Sequence, residues 1–282
     1  MLTRREFVCT VLATSICTIL RHGSALAQTS ESFDVLLQKV LDNPEALDAT
    51  RREREGFREQ YDYHFTKAIA PRNPPSSRAI SEDAIKLIIA FEVTDQNRYE
   101  NKFQQPTWPA GQSGVTIGVG YDLGYVTPEW LKEDWGGILN PGEITILRGA
   151  CGLRGEHARQ ALPKFKKITI PWIEAGPQFR KNLLPRYTAE TLARLPNSNK
   201  LSDDSLGAMV SLVYNRGASF NKSGPRYKEM RAIRQHMVHE RFDQVPAAIR
   251  DMKRLWENVP NMRGLLQRRE LEATLFERGL KS

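Results

Sequence analysis

The sequence predicts an α+β protein that is mainly helical, with one small strand element ahead of a larger helical part. Three observations predict it. Apolar residues recur at helical spacing in several separate stretches. One stretch alone, "SGVTIGVGYDLGY" from Ser113 to Tyr125, alternates with a period of two. Gly and Pro break the remainder into short pieces. At 282 residues, 40% hydrophobic and 26% charged, the chain has an ordinary globular composition, with room for one large domain or one domain and an extension.

Residues 1–27, "MLTRREFVCTVLATSICTILRHGSALA", read as an export signal. Arg4-Arg5 before an apolar residue gives a twin-arginine-like opening, Phe7 to Leu20 is too short an apolar run to span a bilayer, and Ala25-Leu26-Ala27 is a small-residue cleavage pattern. The expected destination is periplasmic or secreted, with no stable membrane insertion once the signal is cut. Cys9 and Cys17 leave with it, so Cys151 stands alone without an internal disulfide and reads as a small core residue. Cleavage removes three Arg and one Glu and takes the net charge from +8 to +6. A basic exported protein suits an anionic partner such as the carboxylates of peptidoglycan. The Lys and Arg are scattered and no nucleic-acid motif is present, so nucleic acid is not an expected partner.

Next, Phe33, Leu36, Leu37, Val40 and Leu41 fall on one helical face, followed by the charge-rich "RREREGFREQYDYHF" and the proline-punctuated "APRNPPSSR". Residues 28–79 are therefore expected to be a helical extension and Pro-rich linker that packs on, or tethers, a main domain over 80–282. Ser81 caps a helix that Glu82 and Asp83 favour and that runs to about Val93. The alternating stretch follows a Pro/Gly-rich connection. Beyond it, "PGEITILRGACG", "GEHARQALP" and "AGPQFRKNLLP" read as short helices broken by Gly and Pro, with "ITIPWI" extended between them. A stronger helix starts near Ser202, carries Leu206, Met209, Val210 and Val213 as its stripe, and stops at Gly217. Two more cover about 229–240 and 263–279.

The chemistry gathers around the alternating stretch. Val115, Ile117, Val119, Tyr121 and Leu123 make an apolar row, while Thr116, Gly118, Gly120, Asp122 and Gly124 leave the other face nearly bare backbone, as where a ligand comes close. In the preceding helix Glu92 continues the stripe of Ile85, Ile88 and Ile89. A carboxyl group there is desolvated, which favours its neutral form and suits a general acid. Asp122 offers a second carboxylate and Thr116 a hydroxyl able to hold a water. One protonated acid, one ionised carboxylate and space between them is equipment for glycosidic cleavage. His236 and His239 share a helix face but have no third ligand, so neither a metal nor another cofactor is expected.

These residues resemble a known family. "AFEV…RY" followed by "GVTIGVGYD", then "AMVSLVYNRG" (Ala208 to Gly217) and "MRGLLQRRELEATLF", occur in the order found in bacteriophage-type lysozymes of glycoside hydrolase family 24, across residues 81–279. The resemblance implies a lysozyme-like fold, with a small N-terminal β-hairpin lobe and a helical lobe. It also implies a muramidase that hydrolyses the β-1,4 bond between N-acetylmuramic acid and N-acetylglucosamine in peptidoglycan. Glu92 matches the family's general acid and Thr116 its water-positioning threonine. The family's second carboxylate falls at Asn101 here, beside Glu100, a departure from the pattern. The spacing from Thr116 to Asp122 instead resembles the pesticin-type branch, which favours Asp122 over Glu100; Tyr121 stands where the phage enzymes often have His. Gly118, Gly120, Tyr121, Trp108, Asn215 and Arg216 are the expected substrate-binding residues. For Trp108 packing of its own loop, and for Arg268 and Arg269 local pairing with Glu270 and Glu272, account for the residues at least as well. A lytic transglycosylase, which needs the acid but no water-positioning carboxylate, and a non-catalytic peptidoglycan-binding protein are the competing functions.

Overall fold

Ser32 opens the first helix among the described residues, its hydroxyl accepting from the amide of Val35. The computed structural model describes residues 31–56 and 72–282. The expected export signal, most of the charge-rich run and His64 lie outside them. Helix α1 (Phe33–Leu41) buries Phe33, Leu37 and Val40, three positions of the predicted stripe, and α2 follows at Pro44–Gly56. Leu47 of α2 belongs to the same core, and Thr50 accepts the amide of Gly264 while donating to the Asn261 carbonyl. Of its two anticipated roles, the extension packs: residues 32–282 form one compact unit.

Helix α3 (Glu82–Val93) starts where the sequence placed it, with Ser81 accepting from Ala84 and acidic Glu82 and Asp83 in its first turn. A short helix not expected from the sequence, α4 (Gln96–Lys102), is capped by Asp95. The sheet is one antiparallel pair, β1 (Thr116–Ile117) and β2 (Tyr121–Asp122), with Thr116 opposite Asp122. Then come α5 (Pro128–Trp135), α6 (Pro141–Arg148), α7 (Gly155–Ala161), α8 (Trp172–Gln178) and α9 (Leu184–Arg194). Residues 168–171 carry no strand pairing; the Ile170 amide donates to the Gln104 carbonyl. The stretch expected to break at its prolines instead runs on through a π-helical turn, Phe179–Leu183, between α8 and α9. Pro185 has no N–H to return to the preceding turn, and the wider turn ahead of it takes up that register change.

Helix α10 (Asp203–Arg216) is capped by Ser202 and ended by Gly217 at φ 69°, as the sequence predicts. Helices α11 (Lys228–Val238), α12 (Val245–Asp251) and α13 (Arg263–Gly279) follow, and α12, like α4, α5 and most of α9, was not expected from the sequence pattern. Helices α10 and α13 pack along each other, with α3 against both. The architecture is mainly helical with a small sheet. No helix among the described residues is long and apolar enough to cross a membrane.

Candidate active site

Glu92 lies on the last turn of α3, its side chain only 8% exposed. Its Oε1 accepts from Nη1 of Arg268 on α13 at 3.0 Å. Arg268 is fully buried, sits 5.3 Å from the Phe91 ring centroid, and also donates to Glu272 Oε1 (3.2 Å) and to the Ser211 carbonyl (3.1 Å). Glu272 in turn accepts from Arg269 (2.9 Å) and the Ser211 hydroxyl (2.7 Å). The sequence argument for a neutral Glu92 rested on desolvation. The fold adds a buried guanidinium, whose charge acts in the opposite sense by favouring the ionised carboxylate. Arg268 and Arg269 pair with Glu272, whereas Glu270 takes Arg250 and Lys253 instead. With both guanidiniums buried, neither meets a solvent-borne ligand.

The alternating stretch is not one long strand. Its apolar row is buried as the pattern requires, Val115, Ile117, Val119, Tyr121 and Leu123 being 2% exposed or less. The glycines, however, form the turn of a tight hairpin, Gly118 at φ +57° and Gly120 at φ +76°, conformations that favour residues without a Cβ. Gly118 does not face open space: a Cβ there would meet Cη2 of Trp135 at 2.8 Å. Gly120 does bring bare backbone to the carboxylate, for its Cβ would stand 3.3 Å from Glu92 Oε2 and 3.1 Å from the Tyr214 hydroxyl. That hydroxyl donates to the Val119 carbonyl at 2.7 Å and holds the turn against α10. Asp122 Oδ1 accepts the amides of Gly114 and Gly124, both at 2.9 Å, closing the hairpin's base. Thr116 pairs with Thr107 through its backbone and aims its hydroxyl at the Gly114 carbonyl at 3.4 Å.

Two cavities meet at this point, of about 310 and 620 Å³, and Glu92, Gly120 and Asp122 line both. The smaller adds Arg72, Trp130, Arg186, Tyr187, Tyr214 and Asn215. Its wall is stiffened by Asp134, fully buried, which accepts from Arg72 (2.7 Å), Arg186 (2.9 Å) and the Tyr121 hydroxyl (2.7 Å). The larger adds Asp48, Arg51, Lys102, Phe103, Trp108 and Thr116. Trp108 edges this cavity, and its indole N–H donates to the Ser113 carbonyl within its own loop.

Three expectations about substrate contacts change. Tyr121 borders the smaller cavity but spends its hydroxyl on Asp134, and burial raises its phenol well above the ordinary value, so it is a strut of the wall. Arg216 points away, stacking 5.3 Å from the Trp256 ring centroid and donating to the Arg226 carbonyl. Asn215 reaches the cleft, yet its Oδ1 accepts from Arg269. Glu100 and Asn101 are exposed on α4 outside both described linings, whereas Asp122 shares the groove with Glu92. The Cys151 thiol is pushed up by burial to about 11, so it stays protonated and unreactive near neutral pH.

Sequence reasoning missed Arg51, Arg72, Arg186 and Tyr214. Arg268 carried a signal that was available: it shares the phase of Leu265 and Glu272 on a buried stripe of α13, where a charge needs a partner. Arg51 and Arg72 carried none, since both sit in polar surroundings and reach the cleft only through the fold. No protein-family model matches this chain, and no curated protein matches it.

Proposed function

We propose that this protein is an exported peptidoglycan muramidase, with Glu92 as general acid and with Asp122 and Thr116 positioning the attacking water. One observation carries the reading. A nearly buried carboxyl group stands at the junction of two cavities, against the bare backbone of Gly120, with a second carboxylate on the same groove. A glycan strand laid through both cavities puts a glycosidic oxygen at that junction. Covering the groove excludes water from Glu92, a desolvation that works against the ionised form and so opposes the charge of Arg268. The net positive charge suits a carboxylate-bearing polymer.

A second reading has its own support. Asp122 Oδ1 is engaged by two backbone amides, which suits a carboxylate that holds the hairpin rather than one that activates water. Such an enzyme is a lytic transglycosylase, in which the sugar's own hydroxyl replaces water. Mass spectrometry of digested sacculi separates the two: a reducing muramic end means hydrolysis, an anhydro end means transglycosylation. Under either reading Glu92→Gln should cut release of soluble muropeptides by about 10²–10⁴-fold, the usual weight of a general acid. Under the hydrolase reading Asp122→Asn should also lose activity. Sacculus binding with no soluble product from the wild-type protein would leave a binding protein instead.

A further inference from the structure

We infer that Arg51, on the α2 helix that precedes the family-like part of the chain, is a positioning residue for Glu92; the inference rests on the glycosidase reading of that carboxylate. Arg51 is nearly buried, with a side chain 12% exposed, and spreads its guanidinium over the end of α3. Nε donates to the Phe91 carbonyl at 3.1 Å, and Nη2 to the Ala90 carbonyl at 3.1 Å and the Thr94 hydroxyl at 3.0 Å. These acceptors bracket residue 92. The amide of Asp95, which would close the next helical turn on Phe91, donates to Val93 instead. Arg51 therefore satisfies a carbonyl that the helix end leaves over, and it sets a positive charge at the negative end of the helix dipole.

The helix end needs such a hold. Thr94 ends α3 at φ 74° and ψ −69°, a conformation that a β-branched residue adopts only when its surroundings impose it. The guanidinium is itself fixed. Its Nη1 donates to Asp48 at 2.6 Å, and Asp48 also takes Arg98 and Lys102 (2.9 Å) from α4. Burial works to raise the Asp48 carboxyl, but the hydrogen bonds from Lys102 and Arg98 and the charge of Arg51 outweigh it and hold it below its ordinary value. The acid is thus gripped twice, by Arg268 at its carboxyl and by Arg51 at the backbone that bears it. A reacting group displaced by about 1 Å can lose 10²-fold in rate, so a backbone grip of this kind acts on catalysis through the carboxyl group it positions.

The test is a double-mutant cycle in the full-length protein, read as kcat and KM on soluble uncrosslinked peptidoglycan strands. Arg51→Met should lower kcat about 10- to 100-fold while KM stays within about 3-fold. Arg51→Lys, which keeps the charge but not the fork, should recover part of the loss. In a Glu92→Gln background Arg51→Met should cost nothing further, because there is no longer an acid to position. Wild-type kcat in Arg51→Met would overturn the inference. An equal fractional loss in both backgrounds would overturn it too, since that marks a general structural effect. Should Arg51→Met fail to fold by circular dichroism, Arg51→Lys carries the same cycle. A wild-type protein that cleaves nothing sinks the glycosidase reading and this role together. An active wild type with an unaffected Arg51→Met sinks this role alone.

Discussion

A methyl group on Gly120 would stand 3.3 Å from Glu92 Oε2 and 3.1 Å from the Tyr214 hydroxyl, on a backbone at φ +76°. Gly120→Ala should therefore be penalised twice, by the left-handed conformation and by crowding of the acid. The first effect costs about 1 kcal/mol or more and is read as a lower melting temperature. The second should lower muropeptide release more than 10-fold at temperatures where the variant stays folded. Normal activity in a folded Gly120→Ala would remove Gly120 from the groove's machinery. At this scale the sequence pointed to Glu92, because a carboxyl group on an apolar stripe is out of place. It carried nothing of the partner: Arg268 lies 176 positions along the chain, and only the packing of α13 against α3 brings the two within 3.0 Å.

Helix α13 is the element on which the cleft's buried charges converge. Glu272 accepts from both Arg268 and Arg269, and all three side chains are fully buried. Removing the shared carboxylate takes one buried ion-pair partner from Arg268 and Arg269 alike, in a low-dielectric interior. Glu272→Ala should accordingly destabilise the protein by about 3–5 kcal/mol, measured by denaturant unfolding, far more than the loss of a surface pair. A change below about 1 kcal/mol would mean that the network's charges are not desolvated as their burial implies. The hairpin shows how element-level reasoning from sequence falls short. Alternation identified the inward residues of 113–125 correctly, but two glycines at positive φ turn the chain back within the stretch. Alternation reports which side a residue faces, not whether the backbone stays extended.

Across the whole molecule, Arg278 ties the extension to the helical trio. It donates to Asp204 of α10 (2.6 Å) and Asp83 of α3 (2.7 Å), and lies 5.1 Å from the Phe33 ring centroid of α1. Burial works to raise the carboxyls of Asp83 and Glu270, but hydrogen bonds from Lys86 and Arg278 to the first, and from Lys253 and Arg250 to the second, hold both below their ordinary values of 3.8 and 4.5. A carboxylate lowered on folding contributes stability that is fully present above its unfolded value and is lost as pH falls through its folded one. The melting temperature should therefore be flat with respect to these groups above about pH 5 and fall below about pH 4. Arg278→Leu should lower the plateau above about pH 5 and make the acid fall shallower, and an unchanged acid limb would show that the pairs do not govern it. By itself the sequence determined the helices whose caps and stripes are local, the inward residues of the hairpin, and the place of Glu92 on an apolar stripe, because short-range periodicity and capping chemistry set all of these. Only the tertiary structure decided that Phe33, Leu37, Val40 and Leu47 join the core, that Arg268 pairs with the Glu92 carboxylate and Arg51 with the helix end that bears it, and that Tyr121 and Arg216 give their polar groups to Asp134 and to the Arg226 carbonyl. Those outcomes depend on which helices meet, and a pattern repeating every few residues holds no information about contacts made across the length of the chain.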